Sequence, residues 1–177
     1  MKKIAVIVCF IIVFFIIFYL QSYIFTSYTI AGIRPNLFVI YVLFIGLFTN
    51  QVLGISFGVI FGLFLDFVYG QTIGISAVML CLVGFLGSYF DKNFSKENKL
   101  TIILMVIGAT FFYEEGYYFL RSIILNFDRE YWIVFKIILV EILYNVLLSI
   151  ILYPLMQKAG YAIDRTFKKT NILTRYF

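Results

Sequence analysis

Long apolar runs separated by short polar segments make up most of the chain. A helix needs about 20 apolar residues to cross the hydrocarbon core of a bilayer. Four runs are near or above this length: residues 4–25, 73–90, 100–125 and 132–156. The stretch 37–69 is too long for one ordinary span, and the polar residues 49–51 interrupt it. Dividing it into spans 36–49 and 52–69 predicts an all-α polytopic membrane protein with six transmembrane helices, in one integral membrane domain that covers residues 1–177.

The distribution of basic residues supports this arrangement. If both termini are cytoplasmic, the cytoplasmic segments include a tail at 158–177, and the outer loops contain only Arg34 and Arg129. Ten of the fourteen basic residues then lie on the cytoplasmic side: Lys2, Lys3, Lys92, Lys96, Lys99, Lys158, Arg165, Lys168, Lys169 and Arg175. This asymmetry follows the positive-inside rule, whereas five spans would place the termini on opposite sides. The net charge of +5 therefore indicates a lipid bilayer as the partner and no nucleic acid.

A stripe of glycines runs along the predicted third span. Its members recur every four residues and end in a carboxylate: Gly54, Gly58, Gly62 and Asp66. That spacing places all four on one face of a helix. Helices associate in lipid through close packing, which glycines permit, and an intramembrane Asp must meet protein or water. We expect this face, together with Gly84 and Gly87 of the next span, to be a packing surface inside the bundle or a partner interface.

Polar side chains inside the last two predicted spans form a second candidate site. These are Glu114, Glu115, Tyr118 and Arg121 on the fifth span, with Glu141 and Asn145 on the sixth. Carboxylates within a membrane are rare and indicate function by default. Such a cluster suits a substrate or proton pathway. It also suits hydrogen bonding between helices or contact with a helix of another membrane protein, and the residue pattern leaves both interpretations open.

Several classes of chemistry find no support in the residue types present. The chain has no histidine, and its two cysteines, Cys9 and Cys81, are isolated from each other. Metal ligation by cysteine needs more than two isolated thiols. Motifs for phosphate binding, dinucleotide binding and hydrolysis are missing from the sequence. We therefore predict a protein that is not an enzyme, with no catalytic residue, no cofactor and no metal site.

A series of short motifs follows in a recognisable order. Arg34-Pro35-Asn36 opens the second span, the third ends in Gly62-Leu63-Phe64-Leu65-Asp66, a turn carries Gly74, and the fourth contains Gly84-Phe85-Leu86-Gly87. In its length, motif order and span layout the chain resembles the rod shape-determining protein MreD family. It departs from the family pattern at Asn36, where Asp is common, at Ile73, where Leu is common, and at Phe85, where Tyr is common.

The resemblance implies a role in the bacterial cytoplasmic membrane. Family members are non-enzymatic scaffolds of the cell-elongation (rod) complex, which bind MreC and support peptidoglycan synthesis and cell shape. RodA, a class B penicillin-binding protein and MreB belong to the same larger complex.

The family is also similar in fold to the S-components of energy-coupling-factor vitamin transporters. A substrate-binding S-component is therefore the alternative, with Glu114, Arg121, Glu141 and Asn145 as the ligand site. S-components commonly carry an Ala-xxx-Ala motif on the first span, where this chain has only Ala5.

Overall fold

A computed structural model describes residues 2–69, 72–93, 98–126 and 130–167, which are helical apart from their connections. The helices are α1 (Lys2–Tyr19), α2 (Phe25–Ser27), α3 (Leu37–Phe48), α4 (Gln51–Tyr69), α5 (Ile75–Asn93), α6 (Lys99–Leu125) and α7 (Tyr131–Phe167), and a π-helical turn (Leu20–Ile24) joins α1 to α2. Within the described residues, five continuous helices, of which α1 through α2 is one, are long and apolar enough to cross a membrane, and α3 is a shorter apolar helix. The predicted all-α polytopic membrane fold is confirmed.

The long helices alternate in direction, and most of their basic residues lie at the same end of the bundle. One end, which we call the lysine-rich end, carries the described basic residues Lys2, Lys3, Lys92, Lys99, Lys158 and Arg165. The α3–α4 turn lies at the same end. Five basic residues of the predicted cytoplasmic and outer segments lie outside the described residues: Lys96, Arg129, Lys168, Lys169 and Arg175.

Helix α3 forms the centre of the bundle. Its twelve residues are all buried, and they extend about 18 Å, less than the hydrocarbon core of about 30 Å. The side chain of Asn36 caps its first turn by accepting the N–H of Val39. At its other end Asn50 accepts the N–H of Leu53 and so caps α4. The polar interruption in the apolar stretch is thus the turn between two helices.

Glycines allow α4 and α5 to make backbone contact. A Cβ added at Gly58 would lie 2.7 Å from the carbonyl carbon of Leu80, and one added at Gly62 would lie 2.6 Å from the nitrogen of Ala77. Real Cβ atoms essentially never approach a neighbour below 3.0 Å. The glycine stripe therefore faces α5 inside the bundle rather than an outer surface.

A third helix joins this contact through a glycine that the spacing did not indicate. Gly46 of α3 stands alone in an apolar run, yet its backbone meets Gly84 and Gly87 of α5. The hydroxyl of Ser88 also donates to the carbonyl of Gly46 at 2.9 Å. Close approach of α3, α4 and α5 at this point makes them one tightly packed unit.

Helix α1 packs against this unit through aromatic side chains. The ring of Phe14 stacks on Phe61 with centroids 4.0 Å apart, and Phe10 meets Phe57 edge-on at 5.4 Å. The hydroxyl of Tyr41 donates to the backbone carbonyl of Phe10 at 2.8 Å. Large apolar side chains cover the opposite, exposed face of α1: Ile4, Val8, Ile11, Ile12, Phe15 and Ile16.

Helix α7 extends well beyond the predicted sixth span. We expected that span to end at residue 156 and a tail to occupy 158–177, but the helix continues to Phe167. The extra turns pack against the end of the short α3, where Gly160 lies against the ring of Phe48 and Tyr161 meets Phe48 edge-on at 6.1 Å. Residues 168–177 of the predicted tail lie outside the described residues.

Candidate functional site

A cavity of about 490 Å³ lies at the end of the bundle opposite the lysine-rich end, where α3 and α5 begin and α4 ends. Its polar lining comes from six parts of the chain: Gln21, Arg34, Asn36, Asp66, Tyr69, Thr72, Ser76, Tyr113, Glu114, Tyr117, Tyr118 and Glu141. The structure therefore brings together residues from the glycine stripe, the motif before the second span and the intramembrane polar cluster. We call this space the polar cavity.

Not every predicted residue reaches the polar cavity. Asn145 is fully buried and lies next to it, while Glu115 and Arg121 are half-buried and do not line it. Pro35 is part of the lining. The glycines predicted to form an interface pack between helices: Gly54, Gly58, Gly62, Gly84 and Gly87.

Asn36 connects three helices at the floor of the polar cavity. Its side-chain amide donates to Oε1 of Glu114 on α6 at 3.1 Å, and its backbone N–H donates to Oδ1 of Asn145 on α7 at 2.8 Å. Asn145 in turn donates to Thr110 Oγ1 at 3.0 Å. An amide at position 36 can donate to a carboxylate, whereas an Asp there would only accept. An Asn at this position therefore suits the neighbouring Glu114.

Asp66 supplies an N-terminal cap to a helix other than its own. Its carboxylate accepts the backbone N–H groups of Gly74 at 2.8 Å, Ser76 at 3.1 Å and Ala77 at 3.2 Å, all in the first turn of α5 or just before it. These are N–H groups that a helix leaves without internal partners, and a carboxylate also complements the helix dipole. The interaction accounts for an acidic residue at the end of the glycine stripe.

Gln21 holds the start of α3 from the other side. It lies in the π-helical turn after α1, donates to the carbonyl of Pro35 at 2.6 Å and accepts the N–H of Leu37 at 3.2 Å. We did not single out Gln21 from the sequence, although a polar residue at the end of an apolar span could have indicated it. The sequence pattern does not indicate Tyr113 either, and it suggests only an interfacial aromatic belt for Tyr117.

Arg34 is the cation at the rim of the polar cavity. It is exposed, interacts electrostatically with Glu141 and donates to Thr26 Oγ1 at 3.4 Å. The carboxyl groups of Glu114 and Glu141 lie close enough to interact with each other. Arg121 instead lies near Tyr117 and Tyr118.

The chemistry available in the polar cavity is that of binding. Acidic, amide and phenol groups face a space large enough for a small molecule or a segment of a partner protein. Among the described residues, no three His, Cys, Asp or Glu side chains are grouped so that they could hold a metal ion.

Comparison with known proteins gives one result at the family level. Residues 1–159 match the sequence profile of MreD, described as rod shape-determining protein MreD. Comparisons with curated proteins and with solved structures give no match. The family match covers 159 of the 177 residues and includes every residue that lines the polar cavity. The chain therefore belongs to the MreD family of rod shape-determining membrane proteins.

Proposed function

We propose that the protein is a non-enzymatic scaffold of the cell-elongation complex, that it binds MreC, and that it thereby supports peptidoglycan synthesis. It resides in the bacterial cytoplasmic membrane with both termini in the cytoplasm. Membership of the MreD family assigns it to rod shape determination. RodA, a class B penicillin-binding protein and MreB join the same assembly.

The observation that carries this proposal is the polar cavity at the end of a rigid helical unit. The cavity is open at one end of the bundle, and Arg34 and Glu141 lie on its lining. Helices α3, α4 and α5 hold its floor in place through backbone contacts and the Asp66 cap. A buried carboxylate such as Glu114 is costly in a membrane, and such residues commonly mark a functional site. We propose that this function is the binding of a polar segment of MreC in the cavity.

Co-purification tests the proposal directly. The tagged protein is extracted gently from native membranes, and the proteins that accompany it are identified and quantified. We expect MreC with the unaltered protein and much less MreC with the double variant Glu114→Gln, Glu141→Gln. The matched control is Glu115→Gln, which changes the adjacent carboxylate outside the cavity lining. Equal recovery of MreC with all three proteins would rule out the cavity as the binding site.

One observation favours the alternative of a vitamin-binding S-component. The cavity volume of about 490 Å³ lies in the range of about 300–1,000 Å³ that is typical of small-molecule sites. Under this alternative the tagged protein would recover an energy-coupling transmembrane subunit with its ATPases and no MreC. The presence of only Ala5 on the first span argues against that outcome.

A further inference from the structure

A second recess lies between α6 and α7 near the lysine-rich end of the bundle. Its volume is about 570 Å³, and it shares no lining residue with the polar cavity. Ile102, Ile103 and Ile150 form its apolar part, and Lys99, Tyr153 and Lys158 are among its remaining lining residues. We call it the α6–α7 groove. The proposed scaffold function gives it no role.

The α7 side of the groove is open to the surroundings of the bundle, whereas Ile102 on α6 is buried. Ile150 is 50% exposed, and Pro154 next to it is also exposed. Pro154 interrupts the hydrogen bonding of α7, because a proline has no N–H to donate to the carbonyl of Ile150. Along α7 the lining residues between Lys158 and Ser149 cover a rise of about 14 Å. One leaflet contributes about 15 Å of hydrocarbon, half of the core thickness.

Two lysines lie at the end of the groove that is nearest the lysine-rich end of the bundle. Lys99 is the first residue of α6, and Lys158 lies near the corresponding level of α7; both are exposed. The ammonium group of Lys99 lies 5.6 Å from the ring centroid of Tyr153. Gln157 donates to the hydroxyl of Tyr153 at 2.5 Å, which adds polar groups at the same level. The isoleucines lie further from this end of the bundle than the lysines do.

We propose that the α6–α7 groove binds one anionic phospholipid of the leaflet at the lysine-rich end. One of its acyl chains lies along the isoleucines, and the phosphate lies between Lys99 and Lys158. Basic pockets between membrane helices at the cytoplasmic side bind anionic headgroups in this way. The depth of the groove from Lys158 to Ser149 is close to the hydrocarbon depth of one leaflet, and the charge at the membrane surface complements a phosphate, so a lipid suits the groove better than a peptide segment.

Lipid binding can be measured on the purified full chain by native mass spectrometry. The probes are phosphatidylglycerol and phosphatidylcholine with identical acyl chains, so that only the headgroup charge differs. We expect the unaltered protein to retain one phosphatidylglycerol more tightly than phosphatidylcholine. Each lysine near a membrane surface accounts for roughly a fivefold preference for anionic lipid. The variant Lys99→Gln, Lys158→Gln should therefore lower the preference by roughly 5- to 30-fold.

The matched control is Lys2→Gln, Lys3→Gln, which removes the same charge at the same end of the bundle but away from the groove. It should keep the preference of the unaltered protein. An equal loss in both double variants would show non-specific attraction by surface charge and overturn the proposal. Retention of the full preference by Lys99→Gln, Lys158→Gln would overturn it as well.

A filled groove gives a test that leaves every charge in place. Ile150→Trp places a large side chain in the groove, while Ile151→Trp changes the exposed neighbour that does not line it. We expect at least a fivefold loss of phosphatidylglycerol retention for Ile150→Trp alone. Unchanged lipid retention in Ile150→Trp would overturn the proposal. A loss of a co-purified membrane protein at unchanged lipid retention would indicate that the groove binds that protein instead.

Discussion

The carboxylate of Asp66 accepts the backbone N–H of Gly74 at 2.8 Å across the turn between α4 and α5. Gly74 has a φ of +104°, a conformation that residues with a Cβ rarely adopt. Two further N–H groups in the first turn of α5 donate to the same carboxylate. One charged side chain thus fixes the turn, starts α5 and forms part of the polar cavity wall.

Asp66→Asn should lower the free energy of unfolding by about 1–3 kcal/mol, because the amide has one accepting oxygen and presents an N–H₂ group to backbone donors. Thermal unfolding of the purified protein in detergent measures the change. The control is Asn98→Ala, which removes an exposed cap of α6 that accepts the N–H of Leu100, at a cost of about 1 kcal/mol. A smaller loss for Asp66→Asn than for this control would contradict the prediction.

Gly58→Ala should destabilise the bundle by about 1–3 kcal/mol, as overpacking does in well-packed interiors. The added Cβ would contact the backbone of Leu80 and Cys81, so the helices must separate. Gly108→Ala is the matched control, since a Cβ at Gly108 meets nothing within 4 Å. Alanine there should stabilise α6 by about 0.5–1 kcal/mol. Opposite shifts in unfolding temperature are expected, and equal shifts would exclude close packing as the cause.

Asn145→Ala should cost about 1–3 kcal/mol, because it removes the acceptor for the backbone N–H of Asn36 and the donor to Thr110. Ser149→Ala, one turn along α7, is the control. The hydroxyl of Ser149 is also buried, but it donates to the carbonyl of Val146 within its own helix. We expect that loss to remain below about 1 kcal/mol. Similar unfolding temperatures for the two variants would show that Asn145 does not connect the helices energetically.

Gly160→Val should weaken the packing of the C-terminal part of α7 against the end of α3, because a side chain at Gly160 would collide with the ring of Phe48. A cost of about 1–2 kcal/mol would raise the opened population, and with it the rate of trypsin cleavage after Arg165, by roughly 5- to 30-fold. Ala159→Val, at an exposed neighbouring position, should leave the rate within about twofold. Equal cleavage rates in the two variants would argue that α7 is not held by this contact.

The sequence by itself determined the class of protein and the approximate location of its membrane spans. Apolar runs of membrane-spanning length and glycines at four-residue intervals are local patterns, and a helix converts them directly into a membrane span or a face. The pattern therefore indicated that Gly58 lies on a packing surface. It could not identify α5 as the neighbour, because periodicity describes one helix at a time.

Only the tertiary structure decided which polar residues share a site. Asn36 lies 78 positions from Glu114 and 109 from Asn145, yet it is hydrogen-bonded to both. Such pairs depend on how the helices are arranged around α3, and no spacing along the chain records that arrangement. The same reason explains why Gly46 was missed and why α7 extends to Phe167. Each depends on a surface that a distant part of the chain provides.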